Sequence, residues 1–418
     1  MDTKCMSVIE NEADGLQRSE LMLNTIEQKG KGIVVSERSD EESVWSECPD
    51  HMLEVMFSSL PVEFSSRFRI VCKEWNTLLS SNRFLSSLPE GDPWILRCSS
   101  THAMAYCFLT QSWKTISLRF LPSETIRSLS QEHSIVHSSG AGLLLIARIR
   151  GPQKKYIICN PLTSTYRYLP TVIANNVRAV TIMDNGESYK IVGLSNKRNP
   201  TCIQIYNCFE KSWQIEVELP LPREDFSFLY IVCVNGLLIY TSWDYKIVVW
   251  NVEDKRTQLV PFPEVDQSIL RDNMNIPLYR LARLAKLAVC GSSFLFILIY
   301  LQINPDQRVV NSHLNVWELK WENEDMSIWT WREVTRMPPD MCQEFIKAGY
   351  LLESIFLSQY QAVNVGNFLC LTNGYRNTEL FVYSLHGKCW SRIKLRQSVR
   401  FQRYKSILGF QPKPDMKV

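Results

Sequence analysis

The chain has 418 residues, of which 45% are apolar and 21% charged, with a formal net charge of +3. This is globular composition, and the length exceeds what one ordinary core fills unless the core is a repeat architecture. Residues 1–44 hold ten Asp/Glu against five Lys/Arg (−5), the remainder 33 against 41 (+8), and no dense Lys/Arg run marks a nucleic-acid-binding face.

The thirteen cysteines are odd in number and form no CxxC pair. Cys159, Cys233, Cys290 and Cys370 sit inside apolar runs, where cysteine serves as a small hydrophobe. They read as reduced thiols of a cytosolic or nuclear protein, not as a disulfide framework. The N-terminus carries no apolar stretch of the kind that a secretory signal needs. The longest apolar run, residues 294–301, is too short for a membrane-spanning helix, which takes about 20 residues. No membrane partner is expected.

Taken in chain order, residues 1–44 are polar, acidic and poor in aromatics, and read as a disordered acidic tail. The character changes at residues 45–88. Pro49 and Asp50 open a helical spacing of apolar residues at Met52, Leu53, Met56, Phe57 and Leu60. Pro61 suits the first turn of a new helix, where a missing N–H costs nothing. A second run carries Phe64, Phe68, Val71 and Cys72, and a third Trp75, Leu78, Leu79, Phe84 and Leu85. Three short helices cannot bury so many large apolar side chains among themselves. The surplus predicts a partner surface.

From residue 93 to about 410 the pattern becomes β. Strands are expected over 142–149, 189–194, 236–240, 246–250, 293–300 and 379–385, with turn dipeptides at Asn185-Gly186, Asn235-Gly236 and Asn373-Gly374. The segment 279–289, YRLARLAKLAV, is basic and partly amphipathic; as a helix it could touch a membrane or a partner, but with Gly291 and the Phe294 run following at once it reads first as an outer strand or a connection. Residues 411–418 read as a C-terminal tail.

Within the β region a spacing recurs. An aromatic or Cys closes a β run and another aromatic follows seven residues later: Tyr106 and Trp113, Cys159 and Tyr166, Tyr206 and Trp213, Tyr383 and Trp390. Trp250 and Thr257 form a degenerate member, and Trp317 and Trp331 are fourteen apart around a polar insertion. Leu-Pro, Phe-Pro or Met-Pro follows five of the six, at Pro122, Pro170, Pro220, Pro263 and Pro338. Leading positions 106, 159, 206, 250, 317 and 383 lie 53, 47, 44, 67 and 66 apart. Units of roughly 50 residues that cannot cover their own faces predict a six-bladed β-propeller, with the aromatics as wedges between blades.

Residues 48–85 resemble an F-box. The family pattern is Leu-Pro, a helix, a second Leu-Pro, a second helix ending Arg-x-Val-Cys-Lys-x-Trp, and a third helix. Pro49, Leu53, Leu60, Pro61, Arg69, Val71, Cys72, Lys73 and Trp75 match; Cys48 and Ser65 stand where the family usually has Leu. The β region resembles the kelch-like propeller of plant F-box proteins in segments such as Cys159-Asn160-Pro161-Leu162-Thr163 and Val316-Trp317-Glu318-Leu319.

The resemblance implies an α+β multidomain protein, a three-helix F-box followed by an all-β kelch-like propeller. It also implies a non-catalytic substrate adaptor of a Skp–cullin–F-box ubiquitin ligase, in the nucleus or cytoplasm, needing no cofactor. Pro49, Leu53, Met56, Phe57, Leu60, Pro61, Val71, Cys72 and Trp75 would bind a Skp-family adaptor and through it a cullin. The propeller would bind an unidentified protein target through loops such as 196–200, 223–226, 241–245 and 303–308. Alternatives are an F-box protein with a non-degradative role, on a glycan or a transcription-associated partner, and a propeller enzyme resembling the copper oxidases.

The residues offer little for catalysis. The histidines number six. His133 and His137 lack the intervening Glu of a zinc-protease helix and sit beside a strand-like Ile-Val. Gly140-Ala141-Gly142 lacks the rest of a dinucleotide fingerprint, and no G-x-S-x-G or Walker A sequence occurs.

Overall fold

The computed structural model describes residues 48–60, 68–69, 71–88, 91–130, 134–148, 155–173, 177–184, 188–196, 201–219, 231–234, 236–241, 246–263, 280–290, 293–303, 309–321, 329–347, 360–373, 379–394 and 407–418. The acidic segment 1–44, the candidate target loops beyond their flanking strand ends, and His133 lie outside these residues.

Three short helices come first: α1 (Asp50–Ser58), α2 (Lys73–Leu79) and α3 (Asn82–Ser87). Five four-stranded sheets and a sixth closed by the C-terminal strand follow. Blade 1 holds β1 (Trp94–Cys98), β2 (His102–Cys107) and β3 (Ser112–Ser117); α4 (Ser123–Ser130) then leads out of it. Blade 2 holds β4 (Ser134–Gly140), β5 (Leu143–Arg148), β6 (Tyr156–Asn160) and β7 (Thr165–Tyr168). Blade 3 holds β8 (Val177–Asp184), β9 (Tyr189–Asn196), β10 (Thr201–Asn207) and β11 (Ser212–Leu219). Blade 4 holds β12 (Ile231–Val234), β13 (Leu237–Thr241), β14 (Lys246–Asn251) and β15 (Thr257–Pro261). Blade 5 holds β16 (Arg280–Cys290), β17 (Ser293–Ile303), β18 (Val309–Trp321) and β19 (Trp329–Arg336), followed by α5 (Pro339–Lys347). Blade 6 holds β20 (Tyr360–Val365), β21 (Phe368–Asn373), β22 (Glu379–Ser384) and β23 (Cys389–Lys394). Finally β24 (Ile407–Phe410) pairs antiparallel with β1 and completes blade 1.

The innermost strands touch in a closed cycle, β24 to β4, β8, β12, β16, β20 and back to β24. The fold is therefore a six-bladed β-propeller. Successive side chains of a strand point to opposite faces, so a blade between two neighbours needs apolar residues at every position. In β5, Leu144 and Ile146 pack toward blade 1, while Leu143, Leu145 and Ala147 pack toward blade 3. Each adjacent pair of blades, including blades 6 and 1, shares one such core. Outer strands are covered less, as in β7 and β3, and β15 alternates.

The seven-residue spacing is the register of the last hairpin in a blade. Tyr106 lies opposite Trp113, Cys159 opposite Tyr166, Tyr206 opposite Trp213, Trp250 opposite Thr257 and Tyr383 opposite Trp390. Tight hairpins fix it, each with a non-glycine residue at positive φ five positions after the leading residue: Gln111, Ser164, Lys211, Lys255 and Lys388. In three blades an Asn begins the turn, and its side-chain oxygen accepts the N–H two residues on: Asn160 from Leu162, Asn207 from Phe209, Asn251 from Glu253. Blade 5 departs from this pattern. Its strands are longer, a register shift follows Val316, and Trp331 faces Leu319 while Trp317 faces Glu333.

The aromatics also fasten blades 3, 5 and 6 each to the one before. The indole N–H of Trp213 donates to Pro170 O at 3.0 Å, that of Trp331 to Pro261 O at 3.1 Å, and that of Trp390 to Thr335 Oγ1 at 3.1 Å. In each case an outer strand reaches the exit of the preceding blade.

One expectation is corrected. Residues 280–289 of the segment read as an outer strand or a connection fall in the innermost strand of blade 5, because its neighbours are β12 and β20; Tyr279 lies outside the described residues. Gly140-Ala141-Gly142 spans the β4–β5 turn, with Ala141 and Gly142 at φ 51° and 70°. A Cβ on Gly142 would stand 2.7 Å from Lys413 N. The C-terminal tail, 411–418, crosses blade 2 there: Asn160 Nδ2 donates to Lys413 O and Met416 O, and Lys413 Nζ meets Asp184 at 2.7 Å.

Candidate docking surface

Pro49 caps α1 at φ −58°, and Asp50 places a carboxylate in the first turn, where the helix dipole favours it. The helix turns Leu53 and Phe57 inward, 4% and 2% exposed, against Leu79 and Phe84. Phe57 meets Trp75 edge-on at 4.8 Å between ring centroids and Phe68 at 5.4 Å. Cys72 is the N-cap of α2, its Sγ accepting from Trp75 N at 3.4 Å. Glu54 and Arg83 tie α1 to α3 at 3.1 Å.

The other side of α1 is apolar as well. Met52 and Val55 are 56% and 69% exposed, and Val71 is 59% exposed. Pro49 is exposed beside them; Met56 and Leu60 are half-buried between the two sides. Among the residues expected to dock, Pro49, Met56, Leu60 and Val71 thus have open surface, Cys72 and Trp75 are half-buried in the helical cluster, and Leu53 and Phe57 are interior. Pro61 lies outside the described residues, as does most of the second expected helix. The third expected run forms two helices, parted at Ser80 and Ser81, the latter capping α3 through its hydroxyl. Val55 carried the same signal as Met52, an apolar residue three positions on, but only a two-sided helix gives it meaning.

These helices rest on one end of the propeller. Arg69 donates to Asn76 Oδ1 at 3.0 Å and to Thr163 O at 3.2 Å, and burial lowers its guanidinium pKa. Leu88 packs against both the helical core and the core between blades 1 and 2. This is the hairpin end, with the β6–β7 and β10–β11 turns. Strands β9, β13 and β17 end at the opposite mouth, where Asn196 pairs with Thr201, Thr241 with Ile247 and Ile303 with Val309. Leu219 pairs with Thr201 and Ile231 with Tyr240 at the same end, so the strand ends flanking all four candidate target loops lie there. Among the described residues no His/Cys/Asp/Glu cluster is arranged to hold a metal ion, and no helix is long and apolar enough to cross a membrane.

No family model matches the chain. It is similar to the F-box only protein 6 of Arabidopsis thaliana, 23% identical over 338 residues, covering 74% of this chain and 62% of that protein. It is also similar to an F-box/kelch-repeat protein of the same plant, 23% identical over 328 residues, with 74% and 73% covered. The F-box only protein 13 is 28% identical over 193 residues, 43% of this chain and 41% of that protein. The chain therefore spans less than two thirds of the length of two of these relatives. Its curated homologues are Arabidopsis F-box and F-box/kelch-repeat proteins, and its fold is a six-bladed β-propeller, consistent with a plant F-box protein carrying a kelch-like propeller.

Proposed function

We propose that this protein is a non-catalytic substrate-recognition adaptor of a Skp–cullin–F-box ubiquitin ligase, acting in the nucleus or cytoplasm. Residues 45–88 form the three-helix F-box that docks on a Skp-family adaptor, and residues 93–410 form the propeller that binds the target. The observation that carries this reading is α1, which packs Leu53 and Phe57 inward while leaving Met52 and Val55 open. A helix apolar on both sides is unfinished without a partner. Pro49, Met52, Val55, Met56, Leu60, Pro61 and Val71 make the contact face; Leu53, Phe57, Cys72 and Trp75 shape it from beneath.

The geometry supports a division of ends. With the helices on the hairpin end, the strand ends that carry the candidate target loops lie at the opposite mouth. Ubiquitin transfer then gains from proximity, since the ligase raises the local concentration of target lysines and conjugating enzyme. Co-purification tests the reading. The full chain captures a Skp-type adaptor together with a cullin, and Leu60→Ala with Pro61→Ala releases both. Capture of the Skp-type adaptor without any cullin would favour a non-degradative role, and undiminished capture by the double variant would refute the docking face.

A further inference from the structure

A cavity of about 650 Å3 lies where the helices meet the hairpin end. Five separate stretches wall it: Arg83 and Leu85 from α3, Arg167 from β7, Ser188 and Tyr189 at the start of β9, Cys208, Phe209 and Lys211 at the β10–β11 turn, and the tail from Asp415 to Val418. Four of its side chains are cationic, Arg83, Arg167, Lys211 and Lys417, and one is a carboxylate, Asp415. Arg83 shares its charge with Glu54. The like charges are held together by the fold: Arg167 sits in the β6–β7 ladder opposite Ile158, and Lys211 holds the positive-φ place of its hairpin.

Tyr189, 1% exposed, lines the cavity as part of the core between blades 2 and 3. Phe209, 77% exposed, stands at the rim beside Lys211.

We propose that this cavity binds a phosphate-bearing small molecule. Arg167, Lys211 and Lys417 pair with its phosphate oxygens, and Phe209 packs on its less polar part. Guanidinium forks suit phosphate geometry, and the volume is that of a small organic ligand, well beyond a single phosphate. Because α3 and the propeller both supply walls, an occupant bridges them and fixes how the helices stand on the ring. The inference does not depend on the adaptor reading.

Isothermal titration of the full chain with pyrophosphate and with ATP tests it. Saturable one-to-one binding is expected, tighter for ATP and weaker as salt rises. Arg167→Gln with Lys211→Gln weakens it about tenfold or more with the fold unchanged by circular dichroism, and Lys388→Gln, at the same hairpin place in blade 6, leaves it intact. The proposal is overturned by no saturable heat with either probe up to about 1 mM, by binding that survives the double variant, or by equal loss in Lys388→Gln, which would mean general attraction to a basic surface.

Discussion

In β5 every residue from Leu143 to Ala147 is buried, whereas in α1 Leu53 and Phe57 are buried and Met52 and Val55 stand open. The two segments are similarly apolar. They differ in how many neighbours the fold provides. A blade has one on each side, so both faces of its strands are covered. The helical cluster has the propeller at one margin and nothing described over α1. Apolar residues on a face without a neighbour have no structural return, and that contrast separates the part built for stability from the part built for contact.

The contrast can be broken first at its most sensitive point. A Cβ on Gly409, in the closing strand β24, would stand 1.7 Å from Asn364 O of blade 6. Gly409→Val therefore destabilises the ring by at least about 3 kcal/mol, read as an early loss of β-sheet circular dichroism on heating. Phe57→Ala removes the ring at the centre of the helical cluster and costs about 3 kcal/mol, seen as increased protease sensitivity within residues 48–88 while the propeller remains intact. Trp213→Phe deletes the indole bond to Pro170 and costs about 1 kcal/mol in urea unfolding. Smallest is Gln111→Gly, at φ 47°, which relieves a left-handed backbone and gains about 0.5 kcal/mol. A loss there would mean that the hairpin's side chain matters more than its backbone.

Much of the ring was legible because its repeat is a local geometry. A tight hairpin puts residues seven apart opposite one another, so Tyr206 and Trp213 announce themselves in the sequence. Blade 5 was misleading because longer strands and the register shift at Val316 move Trp331 off Trp317. The closing strand was unreadable for a different reason. Ile407–Phe410 is four residues long and its partner β1 lies at the other end of the chain, so no local pattern marks the pairing. The helical spacing likewise gave the apolar positions of α1 but not their sides. Leu53 and Met52 are adjacent, and only the positions of Leu79 and Phe84 decide which faces in. The cavity beside Tyr189 was invisible, since its walls come from five stretches spread along the chain.

The account rests on the open face of α1, and direct titration of a purified Skp-type adaptor into the full chain examines it most sharply. Met52→Lys with Val55→Lys should reduce affinity about a hundredfold while thermal unfolding stays within about 0.5 kcal/mol of the parent. Equal affinity in variant and parent would contradict the account and return α1 to the status of an ordinary surface helix.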